Sequence, residues 1–167
     1  ACAEHLEQFG GHMYAAGMTL KEENYENFKA AFENEVKKTI HPDLLIPEIS
    51  VDLEMNFSDL DEKFMRILKQ FEPFGPENMT PVFLSKNVID SGYAKTLGND
   101  AEHLKAFVKQ NNSPNFNAIG FGLGAKIDVV KNRNPFEAVY VLEENEWNGT
   151  VSLQLQLRDV RVNKSKK

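Results

Sequence analysis

From Lys21 to Thr39, apolar side chains recur at Tyr25, Phe28, Phe32 and Val36, three and four residues apart, while Lys and Glu fill the other faces. That period predicts an amphipathic helix. Upstream, residues 2–9 suit the tail of a helix that stops at Gly10-Gly11, where the first glycine can adopt a left-handed cap. His12 to Leu20 is small and apolar and reads as a buried strand. Beyond His41-Pro42, Val51, Leu53, Met55 and Phe57 alternate with Asp52, Glu54 and Asn56, which puts every second side chain on one face of a half-buried strand. Ser58 or Asp59 then caps a second helix over Leu60 to Phe71, striped by Leu60, Phe64, Ile67, Leu68 and Phe71.

The pattern breaks at Glu72-Pro-Phe-Gly-Pro-Glu-Asn-Met-Thr-Pro81, where three prolines and a glycine forbid a helix and stiffen a connector. Five short strands are predicted after it: Val82–Ser91, His103–Gln110, Phe116–Gly122, Phe136–Glu143 and Thr150–Leu157. Turn-rich stretches lie at Leu97–Asp100 and Asn111–Asn115. Five strands in about 85 residues suggest a small barrel. Asn148-Gly149 is a type I′ hairpin signal, because both central positions need a positive φ. In the last strand Val151, Leu153, Leu155 and Leu157 share a face and Val160 falls out of phase, so a bulge or bend is expected near Arg158-Asp159. Residues 163–167 read as a basic, frayed end, and no internal repeat is present.

Composition narrows the class. With 41% hydrophobic and 26% charged residues the 167-residue chain is too apolar for a disordered tail, and it has no apolar run long enough to span a bilayer. Cys2 is the single cysteine, which excludes a disulfide framework and a cysteine zinc site within one copy and suggests a reducing, cytoplasmic setting. The start lacks a signal peptide and an initiator Met, as expected of a piece of a longer protein. A net charge of −6 argues against a simple electrostatic binder of nucleic acid. The charge is unevenly spread, however: residues up to Glu72 hold 7 basic and 15 acidic side chains, the remainder 12 and 10.

Gly10-Gly11-His12 followed by Ala15-Ala16-Gly17 is the sharpest local feature. Two adjacent glycines can turn successive N–H groups toward an anion, with His12 adding a charge-assisted hydrogen bond. Taken alone, the same residues read first as a helix cap followed by a tightly packed strand. The string Phe9-Gly-Gly-His-Met-Tyr-Ala-Ala-Gly17 resembles the signature of the DHHA1 domain in the DHH phosphoesterase superfamily, and it is this resemblance that favours the anion site. The continuation, Leu68-Lys-Gln-Phe-Glu-Pro-Phe-Gly-Pro-Glu-Asn-Met-Thr-Pro-Val-Phe83 and Ser152-Leu-Gln-Leu-Gln-Leu-Arg-Asp-Val-Arg161, resembles the RecJ-like family of single-strand-specific exonucleases.

The resemblance implies an α+β chain with three parts: the C-terminal part of a DHHA1 domain over 1–72, a proline-rich connector over 73–81, and an OB-fold-like five-stranded β-barrel over 82–167. It further implies a parent that degrades single-stranded DNA from the 5′ end in repair and recombination. The divalent metal, manganese or magnesium, would sit in a DHH domain outside this chain. This chain has no Asp-His-His triplet, and His5, His12, His41 and His103 are scattered without ligand spacing, so no catalytic residue and no metal site is expected in it. Gly10, Gly11 and His12 would hold a substrate phosphate facing the missing domain, with Ala15, Ala16 and Gly17 packed behind them.

An OB-fold binds single strands by stacking bases on aromatic rings and tracking phosphates with cations. The stacking candidates are Tyr93, Phe107, Phe116 and Phe121; the phosphate candidates are Lys86, Lys95, Lys105, Lys109, Lys131 and Arg133. Alternation over His103–Gln110 places His103, Lys105, Phe107 and Lys109 on one face, opposite Leu104, Ala106 and Val108. An ordinary solvated strand face would look the same. Trp147 reads as a packing residue, Gly120-Phe-Gly-Leu-Gly124 as a bare strand or bulge rather than a phosphate loop, and Asn148-Gly-Thr150 as a chance glycosylation match. The expected partner is single-stranded DNA, with repair proteins such as a single-strand-binding protein or a helicase as further partners and no membrane. A protein-interaction module and a phosphodiesterase of short oligonucleotides or dinucleotides are the rival functions.

Overall fold

The computed structural model describes residues 1–131 and 134–163, and the chain divides into two compact units, Ala1–Glu48 and Ile49–Lys167. In the first unit a 3-10 turn over Ala3–His5 leads to β1 (Gln8–His12) and β2 (Ala15–Thr19), an antiparallel hairpin turning at Met13-Tyr14. A further 3-10 turn, Glu22–Asn24, opens α1 (Tyr25–Thr39), the helix that the spacing predicts. On it Phe28 and Phe32 stack with ring centroids 5.6 Å apart. No residue of this unit is buried.

The helix tail expected over residues 2–9 is not formed, and Gly10 is not a left-handed cap. Gly10 pairs with Gly17 and Gly11 with Ala16, in extended backbone with no positive φ at either glycine. Successive N–H groups of a strand point to opposite edges, so the two glycines do not converge their amides. A short isolated helix pays for nucleation with few bonds, whereas the complementary small-residue strand offers a full ladder partner. Gly11 is required by contact: a Cβ there would lie 2.5 Å from the Ala15 carbonyl oxygen.

The second unit contains β3 (Leu53–Glu54), α2 (Glu62–Leu68), β4 (Phe83–Asp90), β5 (Lys95–Leu97), β6 (His103–Gln110), β7 (Phe116–Gly120), α3 (Ile127–Lys131), β8 (Phe136–Trp147) and β9 (Thr150–Val162). The strands form one sheet in the order β3-β4-β8-β9-β7-β6-β5. It curls until β4 also pairs with β6, through Val88–Gln110, Ile89–Lys109 and Asp90–Val108. Six strands, β4 to β9, thus follow the proline-rich stretch where five were expected, the short β5 being the addition, while β3 falls within the separately expected strand 51–57. The short β3 and β5 each pair on one side only, so the result is a curled sheet with free edges instead of a fully closed barrel.

The inner face holds one apolar core that includes Val88, Leu104, Val108, Phe116, Phe136, Tyr140, Leu155 and Val160. Phe57, Leu60, Met65 and Leu68 belong to the same core. Residues 49–72 therefore pack with the sheet, and the division predicted after Glu72 lies at Glu48 in the contacts. The proline-rich stretch is a tied turn within this unit. Gly75 and Asn78 exchange two backbone hydrogen bonds, and the Asn78 amide donates to the carbonyls of Phe71 (2.8 Å) and Pro73 (3.0 Å).

Three local expectations shift for visible reasons. The alternating stretch 51–57 yields only a two-residue strand, because Phe57 turns inward on a 3-10 turn and its N–H donates to Gln110 Oε1 at 2.8 Å. Asp61, not Ser58 or Asp59, caps α2 by accepting from the Phe64 N–H at 2.7 Å. Residues 121–131, beyond the shorter β7, form a turn and α3, whose Val130 enters the core. The hairpin and bulge fall where the sequence puts them. Asn148 and Gly149 have φ of 49° and 75° between Trp147 and Thr150, and the pairing steps from Val139–Asp159 to Tyr140–Leu157, leaving Arg158 as the extra residue.

Candidate nucleic-acid interface

The strict alternation of β6 survives in the fold: Leu104, Ala106, Val108 and Gln110 are buried, while His103, Lys105, Phe107 and Lys109 face outward. A groove of about 470 Å³ runs over this face, lined by Tyr93, Lys95, Lys105, Phe107 and Asn117. Tyr93 is 70% exposed and meets Phe107 edge to face, ring centroids 6.2 Å apart. Lys95 of β5 lies directly opposite Lys105 of β6. Like charges facing each other across a ladder repel, and neither lysine has an ion pair among the described residues. Two unneutralised cations beside the exposed Tyr93 ring and the half-buried Phe107 ring form a surface that an anion carrying planar groups would stabilise.

The corner that presents Tyr93 is held by Asp90, a carboxylate only 2% exposed. Its Oδ2 accepts from the N–H groups of Gly92 (2.8 Å) and Ala94 (3.2 Å), and its Oδ1 from the Phe107 N–H (3.4 Å). The Ser91 N–H donates to the Phe107 carbonyl at 2.8 Å, and the Ser91 hydroxyl to Asn115 Oδ1 at 3.0 Å. Asp90 thereby fills the break in the β6 ladder between its β5 and β4 partners. Sequence reasoning missed both Asp90 and Asn117. The triplet Asp90-Ser91-Gly92 between two strands is a side-chain-stabilised turn signal that could have marked the first.

The other predicted residues divide. Phe116 is 5% exposed and packs in the core against Phe57, ring centroids 5.2 Å apart, so it does not stack on a ligand. It lies opposite Val108, and that register puts it on the inner face. Phe121, 60% exposed, sits just past β7 in edge contact with His103 at 5.3 Å. The Gly122 N–H donates to His103 Nδ1 at 3.2 Å, and His103 Nε2 lies 3.4 Å from Glu102 Oε1. Lys86 is paired with Glu54 at 2.5 Å. Lys109 lies along β6 beyond Phe107, and exposed Lys131 ends α3. Arg133 lies outside the described residues. Trp147 is 74% exposed at the tip of the β8–β9 hairpin and is not a packing residue.

In the first unit, Gly10, Gly11 and His12 border a concavity of about 530 Å³ whose walls include Leu6, Phe9, Phe28 and Phe32. A Cβ at Gly10 or Gly17 would meet nothing within 4 Å, so the strip between them is open. Gly120–Gly124 is not the bare strand or bulge expected: it leads from the end of β7 through a turn into the 3-10 turn Gly124–Lys126 and the short α3, and Gly124 is needed because a Cβ there would collide with the Ala101 carbonyl. Among the described residues no group of three or more His, Cys, Asp or Glu could hold a metal ion. No helix among them is long and apolar enough to cross a membrane.

Comparison with known proteins locates this architecture. The chain is 29% identical over 161 residues to the single-stranded-DNA-specific exonuclease RecJ of Bacillus subtilis, covering 96% of this chain and 20% of that protein. It is 25% identical over 157 residues to the RecJ of Escherichia coli, covering 92% and 26%. The crystal structure of RecJ in complex with Mn2+ from Thermus thermophilus superposes with a TM-score of 0.71 at 26% identity, over 98% of this chain and 23% of that one. The chain thus spans about a fifth to a quarter of the length of these relatives. The RecJ OB domain family matches residues 51–159, nearly the whole second unit with its curled sheet and cation–aromatic groove, and the chain belongs to that family.

Proposed function

We propose that this chain is the strand-binding C-terminal portion of a RecJ-type exonuclease that degrades single-stranded DNA in the 5′ to 3′ direction during repair and recombination. Its role is to bind and orient the strand for metal-dependent phosphodiester hydrolysis in a DHH domain outside this chain. On this proposal the first unit is the C-terminal part of a DHHA1 domain, with Gly10, Gly11 and His12 toward the substrate phosphate, and the second is the OB-like binding domain. The observation that carries it is the facing Lys95–Lys105 pair beside Tyr93 and Phe107. Each ring offers a base a π-face, and the two ammonium groups supply phosphate contacts that are independent of sequence.

The test is fluorescence anisotropy of labelled oligo-dT over a salt series, comparing the 167-residue chain with a Lys95→Ala/Lys105→Ala variant. Neutralising two phosphate contacts should lower the slope of log K against log salt by ~1.4. Tyr93→Ala and Phe107→Ala should each weaken binding by ~1–3 kcal/mol at unchanged slope. Unaltered affinity and slope in the double lysine variant would place the strand on a different surface.

A further inference from the structure

The β8–β9 hairpin carries chemistry opposite to that of the groove. From Asn134 to Leu157 the sequence has no Lys or Arg, yet Glu137, Glu143, Glu144 and Glu146 fall within it. Glu137 and Glu144 are neutralised by Arg161 and Lys69, which leaves Glu143 and Glu146 without an ion pair among the described residues. Trp147 stands beside them, pinned by the Asn148-Gly149 turn and by ladder pairing with Thr150. Glu143 and Trp147 share one face of the ribbon, and Glu146 lies on the other face opposite Val151, itself exposed.

We propose that this hairpin tip docks a basic segment of a partner protein, with an Arg or Lys side chain lying over the indole of Trp147 and the carboxylates of Glu143 and Glu146 pairing with neighbouring cations. An indole is the best aromatic face for a cation, and exposed Trp on a rigid element is a typical anchor of protein interfaces. Charge selects the occupant. By register Trp147 lies on the same face as Gln154, Asn117 and Phe107, so a strand in the groove could in principle reach it. Glu143, which pairs with Gln154 on that face, stands between and repels a phosphate. The strand and the basic segment would then occupy separate patches of that face, divided by Glu143, and bind together.

Trp147 is the only tryptophan of the chain, so its emission reports the site directly. The chain is titrated with a fluorescein-labelled Arg/Lys-rich peptide, with a Glu/Asp-rich peptide and with oligo-dT. Emission should change with the basic peptide alone, and anisotropy should show a roughly 5- to 30-fold loss of affinity in Trp147→Ala. Glu143→Gln/Glu146→Gln should weaken binding and flatten its salt dependence, whereas Lys95→Ala/Lys105→Ala should leave it unchanged. Two results would overturn the proposal. One is parental peptide affinity in Trp147→Ala. The other is oligo-dT quenching of Trp147 accompanied by weaker strand binding in Trp147→Ala, which would make the hairpin part of the strand path.

Discussion

Replacing Asp90 by Ala removes one side chain and strips three backbone N–H groups, of Gly92, Ala94 and Phe107, of their acceptor. A hydrogen bond to an ionised group contributes ~1.5–3 kcal/mol. The Phe107 bond, at 3.4 Å, is long enough to count for little. The two shorter bonds then give a gross loss of about 3–6 kcal/mol. Water can reach part of the Gly92–Ala94 corner, and deleting a buried carboxylate also removes its desolvation cost, so the net destabilisation is about 2–4 kcal/mol. The binding effect is separate. Without Asp90 the corner no longer fixes Tyr93 against Phe107, and strand affinity should fall by up to the stacking contribution of one ring, ~1–3 kcal/mol or roughly 5- to 150-fold. Urea unfolding measures the first quantity. Oligo-dT anisotropy, at a temperature where every variant is folded, measures the second. Asp90→Asn keeps one acceptor oxygen and should fall between parent and Asp90→Ala in both assays. If Asp90→Asn and Asp90→Ala bind oligo-dT like the parent while Tyr93→Ala is weakened, Asp90 does not position the ring and the account of the corner is refuted.

The remaining predictions concern the core and its edges. Gln110→Leu keeps the side-chain volume but leaves the Phe57 N–H and the Lys86 carbonyl, now bonded at 2.8 and 2.6 Å, without partners; urea unfolding should show a loss of about 2–4 kcal/mol. Burial holds the Tyr140 phenol above its usual range, opposed by the hydrogen bond with Ser85. Its neutral form therefore favours the folded state fully below about pH 10, and that stability is lost as pH rises further, by up to ~1.4 kcal/mol per unit. Tyr140→Phe should cost about 1 kcal/mol at neutral pH and abolish this share of the alkaline decline in paired denaturation curves. Phe116→Ala should destabilise by about 3–5 kcal/mol. Phe121→Ala, at an exposed ring, should leave stability within about 0.5 kcal/mol, which thermal unfolding of the two variants distinguishes.

Wherever one local rule acted without competition, the sequence determined this protein's structure by itself. The period of Tyr25, Phe28, Phe32 and Val36 specifies α1, Asn148-Gly149 specifies the hairpin, and the phase slip at Val160 specifies the bulge at Arg158. The outward face of β6 was equally legible, because His103, Lys105 and Lys109 alternate with Leu104, Ala106 and Val108, and Phe107 takes its place on the polar face by the same period. The tertiary structure alone decided which aromatic residues remain free. In Phe116–Phe121 both faces carry apolar side chains, so alternation is silent, and Phe116 turns inward only because the ladder sets it opposite Val108. Gly10 and Gly11 suited a cap as well as a strand until Ala16 and Gly17 came to lie beside them. Lys95 and Lys105 are ten positions apart in sequence and become a facing pair only through the β5–β6 register. Local patterns constrain which way a side chain points, but which groups end up opposite one another depends on long-range pairing, and the chemistry of this surface depends on those pairs.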